Sequence, residues 1–357
     1  MTPEFERMMN EAARLVRGGS LAEATAALQQ ALGGAPAPGA GRPREDDVID
    51  VQARVVGEPA PPPPSSSAGA GSTGARESFT SGHWRGEHGA RDYRLFEPAR
   101  VGGAAPLVVM LHGCTQDPDD FARGTRMNAL AREHGVLVLY PAQSHKANAQ
   151  RCWNWFKHNH QARGKGEPAI LAGMVRDVIA RHDVDPARVY VAGLSAGGAM
   201  AAILGDAYPD LFAAVGVHSG LAAGSATDVA SAFAAMRGEA GAPRRAPRHG
   251  VAPPTIVFHG DADATVNLVN GERVAGAGGW TARPGVQRGA SALGVPFTRR
   301  TWVDGQGVER AEQWTLHGVG HAWSGGDLSG SYTDPRGPDA SAEMLRFFLR
   351  RTLSSCT

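Results

Sequence analysis

The chain has 357 residues, of which 42% are hydrophobic and 20% charged, a composition typical of a globular protein with a sizeable core. Its net charge of +1 excludes a global field that would draw it to nucleic acid or an anionic membrane surface. Three cysteines are too few for a disulfide scaffold, and no apolar run approaches the ~20 residues of a membrane span.

The first 34 residues predict a helical hairpin. Apolar residues recur at helical spacing over 5–16, Gly18 and Gly19 break the run, and a capping box begins at Ser20. Because one hairpin cannot bury its apolar face alone, we expect 1–34 to pack on the main domain, on a second copy in a homodimer, or on a partner. The N-terminus lacks the pattern of a secretory signal peptide, which favours a cytoplasmic location; secretion is the alternative.

Residues 35–76 predict a flexible linker. They are rich in proline, alanine, glycine and serine, and four consecutive prolines at 61–64 favour a locally stiff polyproline geometry. The main domain is therefore expected over 77–357.

Short apolar runs alternate with helical segments through the main domain. The predicted strands lie at 91–96, 107–111, 136–140, 189–192, 213–217, 255–258, 297–303 and 309–316. The predicted helices lie at 121–134, 167–181, 195–208 and 341–353. This alternation predicts an α/β fold, with a mostly parallel central sheet flanked by helices.

The stretch 189–200 contains a strand, a Gly-x-Ser-x-Gly turn and a helix, the pattern of a nucleophile elbow. Gly193 and Gly197 would leave room for the sharp turn that exposes Ser195. With 47 glycines in the chain, the bare pattern has about a one-in-three chance of arising by accident. Ser195 is therefore a candidate nucleophile only if partners for it occur elsewhere.

Candidate partners follow two later strands, in the order acid and then histidine that α/β-hydrolases use. We predict that Asp263 is the acid, because it occupies the Asp position of His-Gly-x-x-Asp-x-x-Val, and that Asp261 caps the turn. We predict that His321 is the base, because it lies past the strand end where a loop could bring it to the serine, whereas His317 is still at the strand end.

Two main-chain N–H groups are the predicted oxyanion donors. One belongs to Cys114, in the Leu-His-Gly-Cys turn after the first central strand, and the other to Ala196, which follows the nucleophile.

Five ordered motifs resemble the poly(3-hydroxybutyrate) depolymerase family of esterases, relatives of feruloyl and acetylxylan esterases. They are Leu-His-Gly-Cys-Thr-Gln at 111–116, Tyr-Pro at 140–141, Cys-Trp-Asn-Trp-Phe at 152–156, Gly-Leu-Ser-Ala-Gly-Gly-Ala-Met at 193–200 and Gly-His-Ala-Trp-Ser-Gly-Gly at 320–326. The resemblance covers about 78–353. It implies an α/β-hydrolase fold and hydrolysis of carboxylic esters through a serine acyl-enzyme, with no cofactor and no metal.

The substrate implied is a hydroxyalkanoate or another short-chain ester, as a small molecule, an oligomer or an amorphous polyester. A feruloyl or acetylxylan esterase is the first alternative. A peptidase or amidase with the same acid turn, and a non-catalytic binding protein that works through its helical hairpin, are the others.

Three tryptophans, Trp153, Trp155 and Trp323, adjoin motif positions on the ligand side of the sheet. They are expected to form an apolar wall for the substrate; the alternative is that they cover the sheet edge. Cys114 and Cys152 follow neighbouring strands, so a disulfide is possible, and two free thiols in a reducing cytosol are equally compatible with the sequence. The histidines at 145, 158 and 160 lack further ligands at fixed spacing, so no metal site is predicted.

Overall fold

A computed structural model of the chain describes residues 76–99, 103–239, 252–279 and 283–353. The predicted hairpin over 1–34 and the predicted linker over 35–76 lie outside these residues, save for the last residue of the linker. None of the described helices is long and apolar enough to cross a membrane.

The described residues form twelve strands, ten of them in one sheet. In chain order the strands are β1 (Ser78–Gly86), β2 (Gly89–Glu97), β3 (Ala105–Leu111), β4 (Leu137–Pro141), β5 (Val184–Leu194), β6 (Ala214–His218), β7 (Thr255–Gly260), β8 (Gly285–Ala290), β9 (Pro296–Val303), β10 (Glu309–Leu316), β11 (Trp323–Ser324) and β12 (Thr333–Asp334). The large sheet has the order β1-β2-β4-β3-β5-β6-β7-β10-β9-β8, and β11 pairs with β12 alone.

The six central strands of the large sheet, from β4 to β10, run parallel, and the two at each edge are antiparallel. Parallel strands need long crossover connections, which here carry the helices. The predicted α/β class, with a mostly parallel sheet flanked by helices, is confirmed.

Seven α-helices accompany the sheet in the part of the chain that is described. They are α1 (Pro118–Thr125), α2 (Met127–His134), α3 (Gly166–Arg181), α4 (Ala196–Ala207), α5 (Val229–Met236), α6 (Val269–Ala275) and α7 (Ala340–Phe348). Aspartates begin three of them by accepting a main-chain hydrogen bond from the first turn: Asp117 for α1, Asp228 for α5 and Asp339 for α7.

The core lies on both faces of the sheet, because successive side chains of a strand point to opposite sides. In β3, Leu107 and Val109 join the core that includes residues of α3 and α4, whereas Val108 and Met110 join the core that includes residues of α1, α2 and α7. All four side chains are fully buried. This two-sided burial explains the continuous apolar run that predicted a central strand.

One local prediction was wrong, and several elements were not predicted. The helix predicted over 121–134 is two helices, because Arg126 takes a left-handed conformation (φ 54°) that ends α1. The edge strands β1 and β8 and the helices α5 and α6 were not predicted. The residues of the two edge strands are largely exposed or half-buried. Their sequences therefore lack the continuous apolar run that signals a buried strand.

The topology determines where the functional residues meet. The strands β3, β5, β6, β7 and β10 lie side by side and parallel, so their carboxyl ends share one edge of the sheet. The predicted oxyanion turn, the serine, the acid and the histidine follow the ends of β3, β5, β7 and β10, respectively. Open α/β sheets bind ligands at this edge.

Candidate active site

Ser195 lies in the turn between β5 and α4 and has φ 57° and ψ −119°, a conformation that a residue with a side chain rarely adopts. Its main-chain N–H donates to the carbonyl of His218, 2.9 Å away, which fixes the turn. A Cβ added to Gly197 would lie 2.0 Å from the carbonyl oxygen of Leu111, and one added to Gly193 would lie 2.4 Å from the carbonyl carbon of Gly197. Both glycines are therefore required by close main-chain crossings, and the turn leaves Ser195 half-buried rather than enclosed.

Asp263 and His321 are paired. Nδ1 of His321 lies 2.7 Å from Oδ2 of Asp263, while Oδ1 accepts the main-chain N–H groups of Thr265 (2.9 Å) and Val266 (2.8 Å). Burial acts to raise the pKa of Asp263, but the hydrogen bond and positive charge of His321 outweigh it and hold that pKa below its usual range. Since an ionised carboxylate can only accept, Nδ1 carries the hydrogen and Nε2 is left as an acceptor.

The neighbouring candidates form a second pair. Nδ1 of His317 lies 2.7 Å from Oδ2 of Asp261, whose other oxygen accepts the N–H of Gly318 at 2.7 Å. Nε2 of His317 is engaged by the hydroxyl of Thr298, 2.9 Å away. This pair is partly exposed, whereas the side chain of Asp263 is completely buried and that of His321 is 13% exposed. Asp261 thus binds the turn around His317, and both ring nitrogens of His317 already have partners.

The turn after β3 passes beside the serine. A Cβ added to Gly113 would lie 3.7 Å from Cβ of Ser195. The N–H of Gly113 donates to Oε1 of Gln116 at 2.9 Å. Among the described residues, no protein acceptor takes the N–H groups of Cys114 and Ala196, the two predicted oxyanion donors. Both are therefore available to a ligand beside Ser195.

Cys114 and Cys152 form a disulfide, which ties the turn after β3 to the loop that carries Trp153 and Trp155. Trp153 is completely buried and donates from Nε1 to the carbonyl of His112 at 3.1 Å. Trp155 is only 5% exposed. Both indoles belong to the buried core, so their burial favours the alternative that they cover the sheet over the prediction that they form a wall for the substrate.

Trp323 is also buried. Its ring stacks on His218 with centroids 5.1 Å apart and meets Phe121 edge to face, and its Nε1 donates to the hydroxyl of Ser341 at 3.0 Å. At 1% exposure it presents no surface to a ligand, contrary to the prediction. It instead anchors the segment that follows His321.

Glu167, at the start of α3, is a buried carboxylate that sequence reasoning missed. It accepts hydrogen bonds from the main-chain N–H of Asn154 at 2.7 Å, from the side chain of Asn154 at 2.8 Å and from the side chain of Gln143. Burial acts to raise its pKa, but hydrogen bonds from His160 and Gln143 outweigh burial and lower it. Glu167 therefore holds the long loop before α3 in place. A glutamate in the first turn of a helix is too common to have signalled this.

No cluster that could bind a metal was found in the described part of the chain, where a cluster is three or more His, Cys, Asp or Glu side chains.

His218, at the end of β6, is a second residue that the sequence did not single out. Its carbonyl accepts the N–H of Ser195, and its ring Nε2 accepts the N–H of Ser324 at 3.0 Å. The ring is completely buried, and burial lowers its pKa to about 3, so it is neutral and able to accept. One residue thereby connects the serine turn with the segment that follows His321.

Replacing His218 with leucine should lower the free energy of unfolding by about 1–3 kcal/mol, because the N–H of Ser324 is left buried without an acceptor. His218→Gln should cost less, since its amide oxygen can reach toward the position of Nε2. Urea unfolding followed by circular dichroism measures both variants. A leucine variant as stable as the wild type would show that this hydrogen bond contributes nothing.

A mostly parallel sheet with a strained serine turn at the carboxyl end of a central strand defines the α/β-hydrolase class, and the structure has both features. Residues 92–277, more than half of the chain, match the family described as Esterase PHB depolymerase. The chain belongs to this family, as its five motifs predicted.

Individual relatives agree with this assignment. The chain is 32% identical over 238 residues to poly(3-hydroxyalkanoate) depolymerase C of Paucimonas lemoignei, covering 63% of this chain and 56% of that protein. It is 32% identical over 139 residues to feruloyl esterase B of Thermothelomyces thermophilus, covering 39% of this chain and 47% of that protein. The chain thus spans about half the length of these relatives. Among solved structures, an acetyl xylan esterase from Aspergillus awamori shares the fold, with a TM-score of 0.56 at 22% identity over 65% of this chain and 89% of that one.

Proposed function

We propose that the chain hydrolyses carboxylic esters through an acyl-enzyme, with Ser195 as nucleophile, His321 as general base and Asp263 as the acid that orients the base. The observation that carries the proposal is the 2.7 Å pair between Asp263 and His321 at the sheet edge where the strained turn presents Ser195. A serine hydroxyl is a poor nucleophile unless a neutral imidazole can take its proton.

In the first step, Oγ of Ser195 bonds to the ester carbonyl carbon while its proton moves to Nε2 of His321. The carbonyl oxygen becomes an oxyanion, which the N–H groups of Cys114 and Ala196 stabilise because neither has an acceptor among the described residues. Collapse of this intermediate breaks the bond to the alcohol oxygen, and that oxygen leaves with the proton from Nε2.

In the second step, water attacks the acyl carbon and gives one proton to His321. Collapse restores the hydroxyl of Ser195, which takes the proton back, and releases the carboxylic acid. Throughout both steps the carboxylate of Asp263 stabilises the imidazolium without becoming protonated, consistent with its lowered pKa.

The substrate class that we propose is a hydroxyalkanoate ester or another short-chain ester. The resemblance to a poly(3-hydroxyalkanoate) depolymerase over 63% of this chain supports it. The resemblance to a feruloyl esterase over 39% of this chain supports a feruloyl or acetylxylan esterase as the second candidate.

A substrate panel tests these proposals together. Its members are 3-hydroxybutyrate dimer and trimer, p-nitrophenyl acetate, methyl ferulate, acetylated xylo-oligosaccharide and peptide p-nitroanilides. Preference for hydroxybutyrate oligomers supports the first candidate, and preference for ferulate or acetylated sugar supports the second. Turnover of the anilides alone would identify a peptidase, and no turnover at all would favour a non-catalytic protein.

The pH dependence of kcat/KM should show a single ionisation on its acid side, because His321 must be neutral to accept the serine proton. Three buried groups around the site keep one charge state near pH 7 and so do not share this ionisation. Asp263 stays ionised since its pKa is lowered, and burial lowers the pKa of His112 to about 4 and that of His218 to about 3, so both histidines stay neutral near pH 7. Activity should therefore be present at high pH and fall with a slope of about one as the pH decreases.

The acid limb can be checked with a second reaction of the same serine. Inactivation by a fluorophosphonate also needs a neutral base, so its rate plotted against pH should share the acid limb of hydrolysis. His317→Asn is the control and should leave both limbs in place, because His317 pairs with Asp261 instead. A slope near two, or limbs separated by more than about one pH unit, would mean that another group activates the nucleophile.

A further inference from the structure

The segment 325–334 returns from the base to the oxyanion turn and is firmly held there. The carboxylate of Asp120 accepts both the main-chain N–H and the hydroxyl of Ser331. The side chain of Gln116 donates to the carbonyl of Ser331 at 3.0 Å while accepting the N–H of Gly113 at 2.9 Å. One glutamine thus joins the two segments directly.

Tyr332 connects the segment after His321 with the oxyanion turn through its main-chain carbonyl and its phenol. Its carbonyl accepts the N–H of Trp323 at 2.7 Å, two residues after His321. Its phenolic oxygen lies 3.2 Å from Oγ1 of Thr115, whose hydroxyl donates to the carbonyl of Cys114 at 2.6 Å. The phenol therefore donates to Thr115, and the ring extends from the base segment to the oxyanion turn.

Both ends of this connection have a left-handed main chain. Tyr332 has φ 54° and Thr115 has φ 65°, values that are disfavoured for residues with a Cβ and that resemble the φ of 57° at Ser195. Such conformations cluster at functional sites, where the surrounding structure enforces them. The network of Asp120 and Gln116 supplies that enforcement here.

The ring of Tyr332 offers apolar surface to solvent. Tyr332 is 47% exposed, and its only side-chain polar atom is already bonded to Thr115. The tryptophans predicted to contact substrate, in contrast, are at most 5% exposed. An exposed aromatic ring held between the oxyanion turn and the base segment is placed to meet the part of an ester that extends beyond the reacting carbonyl.

We propose that Tyr332 is a specificity-determining residue whose ring contacts the carbon chain or aromatic group of the ester while the carbonyl lies at Ser195. This inference rests on the proposed function and adds to it a preference for esters with an extended apolar group over acetyl esters. An acetyl group has only one methyl beyond the carbonyl, so it offers the ring little apolar surface to contact.

The test compares kcat and KM for p-nitrophenyl octanoate and p-nitrophenyl acetate in the wild type, Tyr332→Ala and Tyr332→Phe. Tyr332→Ala should lower kcat/KM for the octanoate about tenfold, mainly by raising KM, and change the acetate less than about twofold. Tyr332→Phe keeps the ring and should stay within about threefold of the wild type on both esters.

Leu328→Ala is the matched control. Leu328 is an exposed apolar residue of the same segment, but unlike Tyr332 it has no side-chain bond to the oxyanion turn, so its truncation should leave the ratio of the two kcat/KM values unchanged. Equal losses on both esters, or no loss on the octanoate, would overturn the role of Tyr332 while leaving the proposed function standing. Failure of the wild type to hydrolyse any ester would overturn the proposed function, and this inference with it.

Discussion

Ser195→Ala should lower kcat/KM for ester hydrolysis by at least about 10⁴-fold, because it removes the oxygen that forms the acyl-enzyme. The fold should remain intact. Alanine fits the left-handed turn as well as serine does, and the N–H that donates to His218 is retained. Initial rates with p-nitrophenyl esters measure the loss, and denaturant unfolding checks the fold.

Covalent labelling makes the test specific. A fluorophosphonate should add to the wild type once per chain and not at all to Ser195→Ala. Ser225→Ala is the matched control: within the described residues its hydroxyl donates only to the carbonyl of Ala222, so this variant should keep both activity and labelling. Retention of more than a few per cent of the activity by a clean preparation of Ser195→Ala would exclude Ser195 as the nucleophile.

Asp263→Asn should lower kcat by about 10⁴-fold. Asparagine is neutral and can donate from its amide to Nδ1 of His321, which moves the ring hydrogen to Nε2, the atom that must accept the serine proton. The imidazolium also loses a fully buried negative charge that lies 2.7 Å away. Steady-state kinetics at the pH of maximal activity measure the effect.

Asp261→Asn is a closely matched comparison. It lies in the same turn and pairs with its own histidine at the same 2.7 Å, but that pair is partly exposed and its histidine is also engaged by Thr298. We expect a loss below about tenfold, since a neighbouring turn is perturbed while the Asp263–His321 pair is retained. The reverse order of effects would show that Asp261 and His317 are the acid and the base.

The sequence predicted the features that depend on neighbouring residues. The apolar run of β3 predicted a strand buried on both faces, because only a central strand can bury successive side chains. The glycines around Ser195 predicted the elbow, because a Cβ at Gly193 or Gly197 would collide with the main chain that crosses there. The order of serine, acid and histidine, together with five motifs, was enough to predict the α/β-hydrolase class and the family.

The local sequence pattern did not predict which side chains would be exposed to solvent. Trp153 and Trp323 adjoin motif residues and were expected to line the substrate site, yet both are buried by segments distant in sequence. For Trp323 these include His218, more than 100 residues earlier. Exposure is a property of the packed fold, so an indole next to a catalytic motif can equally well support the motif from behind.

The sequence by itself determined the fold class, the family and the identity of the candidate nucleophile, because each depends on short patterns of residue type and spacing. The sequence predicted Asp263 and His321 as acid and base, but only the tertiary structure showed that the neighbouring Asp261 pairs with His317. The tertiary structure alone gave the ring of His218 its contact with Ser324 and the phenol of Tyr332 its contact with Thr115, because those hydrogen bonds join residues more than 100 positions apart. Contacts between residues so far apart in sequence arise from the order of the strands in the sheet. That order aligns the carboxyl ends of β3, β5, β6, β7 and β10 at one edge, and no local sequence pattern encodes it.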